Sequence, residues 1–300
     1  MHIANPIYDT IFKYMLEDNK VAKIFISAII GEEILELDFN PQEYSTEVAS
    51  AAKGSITVCR FDFSAKIKTE ASFKTVIIEL QKAKYSSDLM RFRRYLGLSY
   101  QNKENSYDTN QEKARQIYCI YFLDYGADLP ARPVLKVDYK MEDVYTGDEF
   151  PATGEFVSGL HHRSWIVQIQ QLKQRRRNDL EKLLGIFDQS NITDTNHILN
   201  VEEDSFPEEF QQIIRRLRKA AEDPGKRRSM DLEDDIVKEL QGLERKIEEK
   251  DKAIEEKDKT LAENQKTLAE KDKTLAEKDK TLAEKEREIA ELKRLYGIKL

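Results

Sequence analysis

RFDFSAKIKTEASFKTVIIELQKAK, residues 60–84, reads as two β-strands joined by a charged turn. From Arg60 to Lys68, the apolar Phe61, Phe63, Ala65 and Ile67 alternate with Asp62, Ser64 and Lys66, the period of two expected of a half-buried strand. From Lys74 to Gln81, the β-branched run Thr75-Val76-Ile77-Ile78 leads into Glu79 and Gln81, which share one face. A tight turn centred on Glu70 and Ala71 sets Thr69 opposite Ser72, and Asp62 opposite Glu79. Opposed Cβ atoms lie ~5 Å apart, so two carboxylates placed that way suit one divalent cation. Gln81 adds a third polar group to the same face. A slip of one residue would turn Asp62 to the other face. An acidic pair on a sheet is also what a plain solvated edge looks like. The apolar setting, FDF and VIIEL, argues for function, because charge among such residues is costly unless a metal or partner neutralises it.

The spacing Asp62…Glu79-x-Gln81 on adjacent strands, after an N-terminal helix, resembles the core of the PD-(D/E)XK nuclease superfamily. More specifically it is similar to the recombination-promoting nuclease and transposase-like branch, in which Gln replaces Lys at the last motif position. NPIYDTIFKYMLED (5–18) resembles that branch's opening helix, with Asp9, Phe12 and Lys13 on its pattern. RFRRYLGLSY (91–100) resembles its Arg- and Tyr-containing helix after the catalytic strands. The likeness is specific over residues 5–125 and looser to about 190. It implies an α/β fold with a restriction-endonuclease-like mixed sheet flanked by helices. It further implies hydrolysis of DNA phosphodiester bonds with Mg²⁺ or Mn²⁺. Asp62, Glu79 and Gln81 are then catalytic, and the metal is held by Asp62, Glu79 and the backbone carbonyl of Leu80. Asp9, Arg91 and Arg94 are accessory candidates. A helix before the strands often contributes an acidic ligand, and Arg forks suit phosphate oxygens. Each has a plainer reading: Asp9 as a first-turn carboxylate favoured by the helix dipole, the arginines as a solvated helix face. Gln81 orients water but carries no charge, which leaves the general base unassigned; Lys82 and Lys84 stand nearby.

Charged residues make up 35% of the chain, and its formal charge of −7 argues against a generally basic nucleic-acid binder. DNA contact therefore falls to local patches. Two are visible: Lys173, Arg175, Arg176 and Arg177 at the start of a helix expected over residues 173–190, and the basic residues of an amphipathic helix within FPEEFQQIIRRLRKAAEDPG (206–225). Such clusters line a DNA path or merely solvate a helix. Cys59 and Cys119 lie in predicted strands without metal-ligand spacing and read as buried free thiols in a reducing compartment. His161-His162 lacks an acidic or Cys partner at ligand spacing and reads as a loop pair. No signal core opens the chain, and the apolar run Ile24–Ile30 is too short to span a bilayer. A cytoplasmic protein is expected.

Asn5-Pro6 predicts a helix start, and Asp18-Asn19 caps a second helix that ends at Gly31. A further helix is expected from Ser86–Asp88 to about Asn102, and IYCIYFL (117–123) reads as a buried central strand. From Met230 a seven-residue period sets in: KDKTLAE recurs at 257, 271 and 278, with NQKTLAE at 264. This predicts a long coiled-coil helix. One seam is apolar throughout, whereas the other carries Lys250, Lys257, Asn264, Lys271, Lys278 and Lys285 in its middle. The arm is thus either a homodimer zipped through residues 236–296 or a single charged helix with pairs such as Glu270/Lys273 and Lys280/Glu284. The expected division is a nuclease-like domain over 1–190, a helical connector over 191–229 and the coiled-coil arm over 230–300. The leading functional expectation is a metal-dependent DNA endonuclease linked to recombination or mobile elements. Its alternative is a non-catalytic, nuclease-like DNA- or protein-binding module that assembles through the coiled coil.

Overall fold

A tight hairpin sits at the centre of the architecture. In the computed structural model, β5 (Phe63–Lys68) and β6 (Phe73–Gln81) pair antiparallel, from Phe63 opposite Ile78 to Lys68 opposite Phe73. This is the register expected from the sequence. Thr69 closes the turn, its N–H donating to the Ser72 carbonyl at 3.1 Å. The structure describes residues 1–39, 43–48, 55–60, 63–70, 72–81, 88–101, 107–108, 113–114, 116–126, 128–152, 155–193 and 195–295.

Around the hairpin a six-stranded mixed sheet assembles from β2 (Glu36–Phe39), β9 (Gln116–Leu123), β10 (Val134–Val137) and β13 (His162–Gln168), in the order β10-β13-β9-β6-β5-β2. β6, β9 and β13 run parallel, while β2, β5 and β10 are antiparallel to their neighbours. β9 is the buried central strand expected from IYCIYFL. Shorter pairs stand apart: β3 (Glu43–Val48) with β4 (Ser55–Arg60), β7 (Tyr107–Asp108) with β8 (Lys113–Ala114), and β11 (Met141–Glu142) with β12 (Glu149–Phe150).

The two faces of the sheet differ. Phe63, Ala65, Ile67, Val76, Ile78, Tyr118, Ile120, Phe122 and Val167 face the main core. There they meet α1 (Asp9–Leu16), α2 (Asn19–Ile30), α5 (Asp179–Leu184) and α6 (Gln211–Glu222). Phe12, Phe25, Phe122 and Phe187 form an aromatic knot at this centre, with ring centroids 4.8–6.3 Å apart. The alternate residues Ile77, Ile117 and Cys119 pack against Phe92 and Leu96 of α3 (Asp88–Gln101). A sixth short helix, α4 (Glu155–Leu160), precedes β13.

Several boundaries differ from expectation. α1 begins at Asp9 rather than Pro6, because the fully buried Asn5 serves tertiary contacts, its Nδ2 donating to Gln189 Oε1 (2.9 Å) and to the Asn196 carbonyl (2.7 Å). α2 behaves as read: Asp18 accepts from the N–H groups of Lys20 and Val21, and Gly31 closes the helix at φ 72°, a left-handed conformation that suits glycine. The helix expected over 173–190 shrinks to α5, capped by Asn178, which accepts from Glu181 N–H. His162 opens β13 instead of lying in a loop.

The expected connector is part of the folded body. One compact unit spans Met1–Asp235, and a second spans Ile236–Leu300. Within 191–229, β14 (Ile198–Asn200) pairs with β1 (His2–Ala4), and α6 buries Ile213, Ile214, Leu217, Ala220 and Ala221. An amphipathic stripe of that width needs a surface to cover, and the main core supplies it. Asp223 then ends α6 and caps the final helix, α7 (Pro224–Leu295), accepting from Gly225 N–H at 2.7 Å. In the second unit, Ile254, Leu261, Leu268, Leu275 and Leu282 of the apolar seam are 55–62% exposed. Among the described residues, an ion pair there joins Lys259 and Glu255, at 2.8 Å. Among the described residues, neither Glu270/Lys273 nor Lys280/Glu284 forms a pair.

Candidate active site

β6 is buried on both faces, as expected of a strand between two neighbours in a sheet covered by helices. From Thr75 onward its odd-numbered residues nonetheless form a polar row interrupted by Ile77. Thr75 is fully buried, Glu79 is 3% exposed and Gln81 8%. All three point to the α3 side of the sheet, opposite the main core.

Glu79 lies directly across from Tyr121 on β9, and Ile77 lies across from Cys119. The Tyr121 ring packs edge-on against Phe92 of α3, with centroids 4.5 Å apart. The site is therefore walled by apolar and aromatic groups. Burial pushes the Cys119 thiol far above its ordinary range; the Tyr121 hydrogen bond opposes this, and the Glu79 charge adds to it. Burial above all, with the Glu79 charge and a hydrogen bond to Cys119 adding to it, drives the Tyr121 phenol upward in the same way. Both stay protonated at neutral pH, so Cys119 is no thiolate nucleophile.

Gln81 ends the strand. Its Oε1 accepts from the Tyr125 hydroxyl at 3.1 Å, and its carbonyl accepts from Asp124 N–H at 2.9 Å. Tyr125 fixes the Gln81 amide in place and leaves its NH₂ as the donating end. Nothing in the residue pattern announces this contact, since Tyr125 stands past the end of β9.

The other expected residues are placed as follows. Asp62, Lys82 and Lys84 lie outside the described residues. Leu80 is half-buried against the main core, on the opposite side of β6 from Glu79. Arg91 and Arg94 belong to α3, the helix on the Glu79 face, but their side chains are outside the description. Asp9 stands at the start of α1, in the layer on the other face. Its carboxylate is bound to Lys13 at 2.7 Å and its N–H donates to Glu233 at 3.0 Å. This is the helix-terminal reading of Asp9.

The oxygen donors of Glu79 and Gln81 are the chemistry that a hard divalent cation takes, and a carboxylate kept among apolar walls is fit for holding one. Among the described residues, no three of His, Cys, Asp and Glu gather closely enough to form a metal cluster. Nor is any helix among them long and apolar enough to cross a membrane.

At the opposite end of the parallel strands, the sequence concealed a second polar group. Lys74, 3% exposed, is held by Glu32 and by the Thr69 hydroxyl, and lies 4.9 Å from the Tyr118 ring centroid. Tyr118 donates to Glu32 Oε1 at 2.9 Å, and Arg163 donates to the Tyr118 hydroxyl at 3.2 Å. These partners are up to 86 residues apart in sequence. With every member engaged, the network is structural.

No protein-family model matches the chain, and neither a curated protein nor a solved structure matches it significantly.

Proposed function

We propose that the protein is a divalent-metal-dependent DNA endonuclease, linked to recombination or mobile elements, whose site is built on β6. The observation that supports this most is Glu79: a carboxylate nine-tenths buried on a central strand, in a hairpin whose register is the one that would set Asp62 opposite it. Asp62, Glu79 and the Leu80 carbonyl would hold Mg²⁺ or Mn²⁺. A divalent cation there supplies Lewis acidity toward water and the phosphodiester oxygens. Glu79 contributes the negative charge that draws the cation into an otherwise apolar wall. Gln81, steadied by Tyr125, presents its amide to orient water, but it takes up no proton. Arg91 and Arg94 on α3 are the cations proposed to meet the phosphate.

A non-catalytic, nuclease-like module that works through its coiled coil is the second reading, favoured by an uncharged Gln81 where a lysine is common. Plasmid nicking by wild type, Glu79→Gln and Asp62→Ala, in Mg²⁺, Mn²⁺ and EDTA, separates the two. The nuclease reading expects metal-dependent nicking that drops to the EDTA level in both variants, with unchanged thermal unfolding. Absence of nicking by folded wild-type protein in both metals would sink it.

A further inference from the structure

The two basic clusters of the sequence have different fates in the fold. In the first, Arg176 donates to the Leu172 and Arg175 carbonyls and to Asp188. Its guanidinium lies over Gly185, where a Cβ would come within 2.7 Å. Arg177 makes a forked ion pair with Glu181. These two arginines brace the α5 loop and are not available to a ligand.

The second cluster is arranged differently. Arg215, Arg218 and Lys219 project from α6 into solvent, and Lys226 and Arg228 continue the positive surface at the start of α7. Tyr14, in the last turn of α1, is flanked by two cations: the Arg216 guanidinium is 4.1 Å and the Lys226 ammonium 4.0 Å from its ring centroid. Arg216 is tethered further by the Tyr14 carbonyl at 2.6 Å, with Glu17 and Asp18 at 3.6 and 3.8 Å. Arg218 leans on Glu222 at 3.4 Å. Among the described residues, Arg215, Lys219 and Arg228 have no hydrogen-bond or ion-pair partner. Arg215 and Lys219 stand one helical turn apart on a concavity of about 260 Å³, lined also by Tyr14, Asp18, Gln212 and Arg216.

We infer that Arg215, Lys219 and Lys226, set around Tyr14, form a nucleic-acid backbone-binding surface on the layer opposite Glu79. It extends the nuclease reading, since the DNA it binds is the substrate proposed above. Charge complementarity selects the occupant: the cations are local to this face of a protein whose total charge is −7. Two unpaired cations one helical turn apart, Arg215 and Lys219, suit the phosphates of a phosphodiester chain. The binding is therefore electrostatic and directed at the phosphate backbone. Stacking on Tyr14 holds Arg216 and Lys226 in place before any ligand arrives. Because α1 and α6 cover the far face of the sheet, the surface grips duplex away from the cleaved bond.

The test is fluorescence anisotropy of a labelled 30-base-pair duplex in EDTA, titrated with full-length protein at several salt concentrations. The variants are Arg215→Ala/Lys219→Ala, the polar pair Arg215→Gln/Lys219→Gln and, as a control, Lys257→Ala/Lys271→Ala on the arm. Both patch variants are expected to weaken binding and to lower the slope of log K against log salt by about two, roughly one per lost phosphate contact. The arm control keeps the wild-type slope. An unchanged slope in the patch variants would overturn the proposal, as would a wild-type protein that binds no duplex, or that binds anionic vesicles in its place. Binding in EDTA is independent of the metal site. Absence of nicking by folded wild-type protein would therefore remove the nuclease reading and leave this surface standing.

Discussion

Glu32→Gln tests how the buried charge network at the end of β6 is held. Lys74 is 3% exposed, and among the described residues its ammonium has one anionic partner, Glu32, beside the neutral Thr69 hydroxyl and the Tyr118 ring. Glutamine preserves the shape of the side chain and its bond to Tyr118, but it strands the lysine charge. Breaking one side of a buried ion pair costs about 3–5 kcal/mol. Because the Glu32 side chain is 31% exposed, water relieves part of this, and the lower end, ~3 kcal/mol, applies. In a folded unit of this size that lowers Tm by about 6–12 °C. Lys74→Met has the opposite logic: it leaves no buried charge, only a half-exposed carboxylate still bonded to Tyr118, so it is expected to cost about 1 kcal/mol or less. The pH dependence follows from the carboxyl. Burial raises the Glu32 pKa, but hydrogen bonds from Lys74 and Tyr118 and the charges of Lys74 and Arg163 outweigh it and leave the pKa below the ordinary glutamate range. A folded pKa below the unfolded one gives stability that is complete above the ordinary carboxylate range and is lost as pH falls through the depressed value. Wild type should show this acid-side loss, and Glu32→Gln should lack it. Scanning calorimetry at pH 7 and at intervals down to pH 3 reads both effects. If Lys74→Met destabilises as much as Glu32→Gln, the stranded-charge argument is wrong.

Two further outcomes follow from the start and the length of α7. Asp234 accepts from both the Tyr8 hydroxyl and His197 Nε2, each at 3.0 Å, so Asp234→Ala leaves two donors without it and is expected to cost about 1–3 kcal/mol in urea unfolding; a loss within error would show that the contact contributes nothing. In the arm, one continuous apolar seam beside a row of lysines predicts weak, concentration-dependent dimerisation. Sedimentation equilibrium should show a rising mass for wild type, a tight dimer for Lys257→Ile/Lys271→Ile/Lys278→Ile, and a monomer for Leu261→Lys/Leu268→Lys. A wild-type arm that stays monomeric at high protein concentration would leave the single charged helix.

The parts of this fold that could be read in advance are those in which the determining residues are neighbours in sequence. The turn at Glu70 fixes the β5–β6 register because β5 alternates strictly, and sliding it would bury Lys66 or Lys68 in the main core. Asp18 and Gly31 bound α2 for equally local reasons. Asn5 misled because its amide groups are taken up by Gln189 and Asn196, 184 and 191 residues away, and no local rule anticipates that. The packing of residues 191–229 was hidden for the same reason: α6 shows its apolar stripe in the sequence, but not that α1 and β1 would accept it. The charges divide likewise. Arg177 could be matched to Glu181 at i,i+4, whereas the partners of Lys74 come from strands and helices far along the chain.

The partition of β6 between two layers decides how the site can be tested. Val76 and Ile78 belong to the main core, where shortening a side chain costs about 1 kcal/mol or more. Glu79 faces the smaller cluster beneath α3, among Ile77, Cys119 and Phe92. Replacing its carboxylate with an isosteric amide removes a buried charge without opening a cavity in the main core, and removing such a charge is neutral or stabilising where the charge serves no structural pair. A folding role and a binding role for Glu79 therefore predict opposite signs. If Glu79→Gln unfolds at the same or a higher temperature than wild type while nicking is lost, the charge is kept for what it holds. If it unfolds well below wild type, the charge is part of the scaffold, and the case for a cation at β6 falls with it.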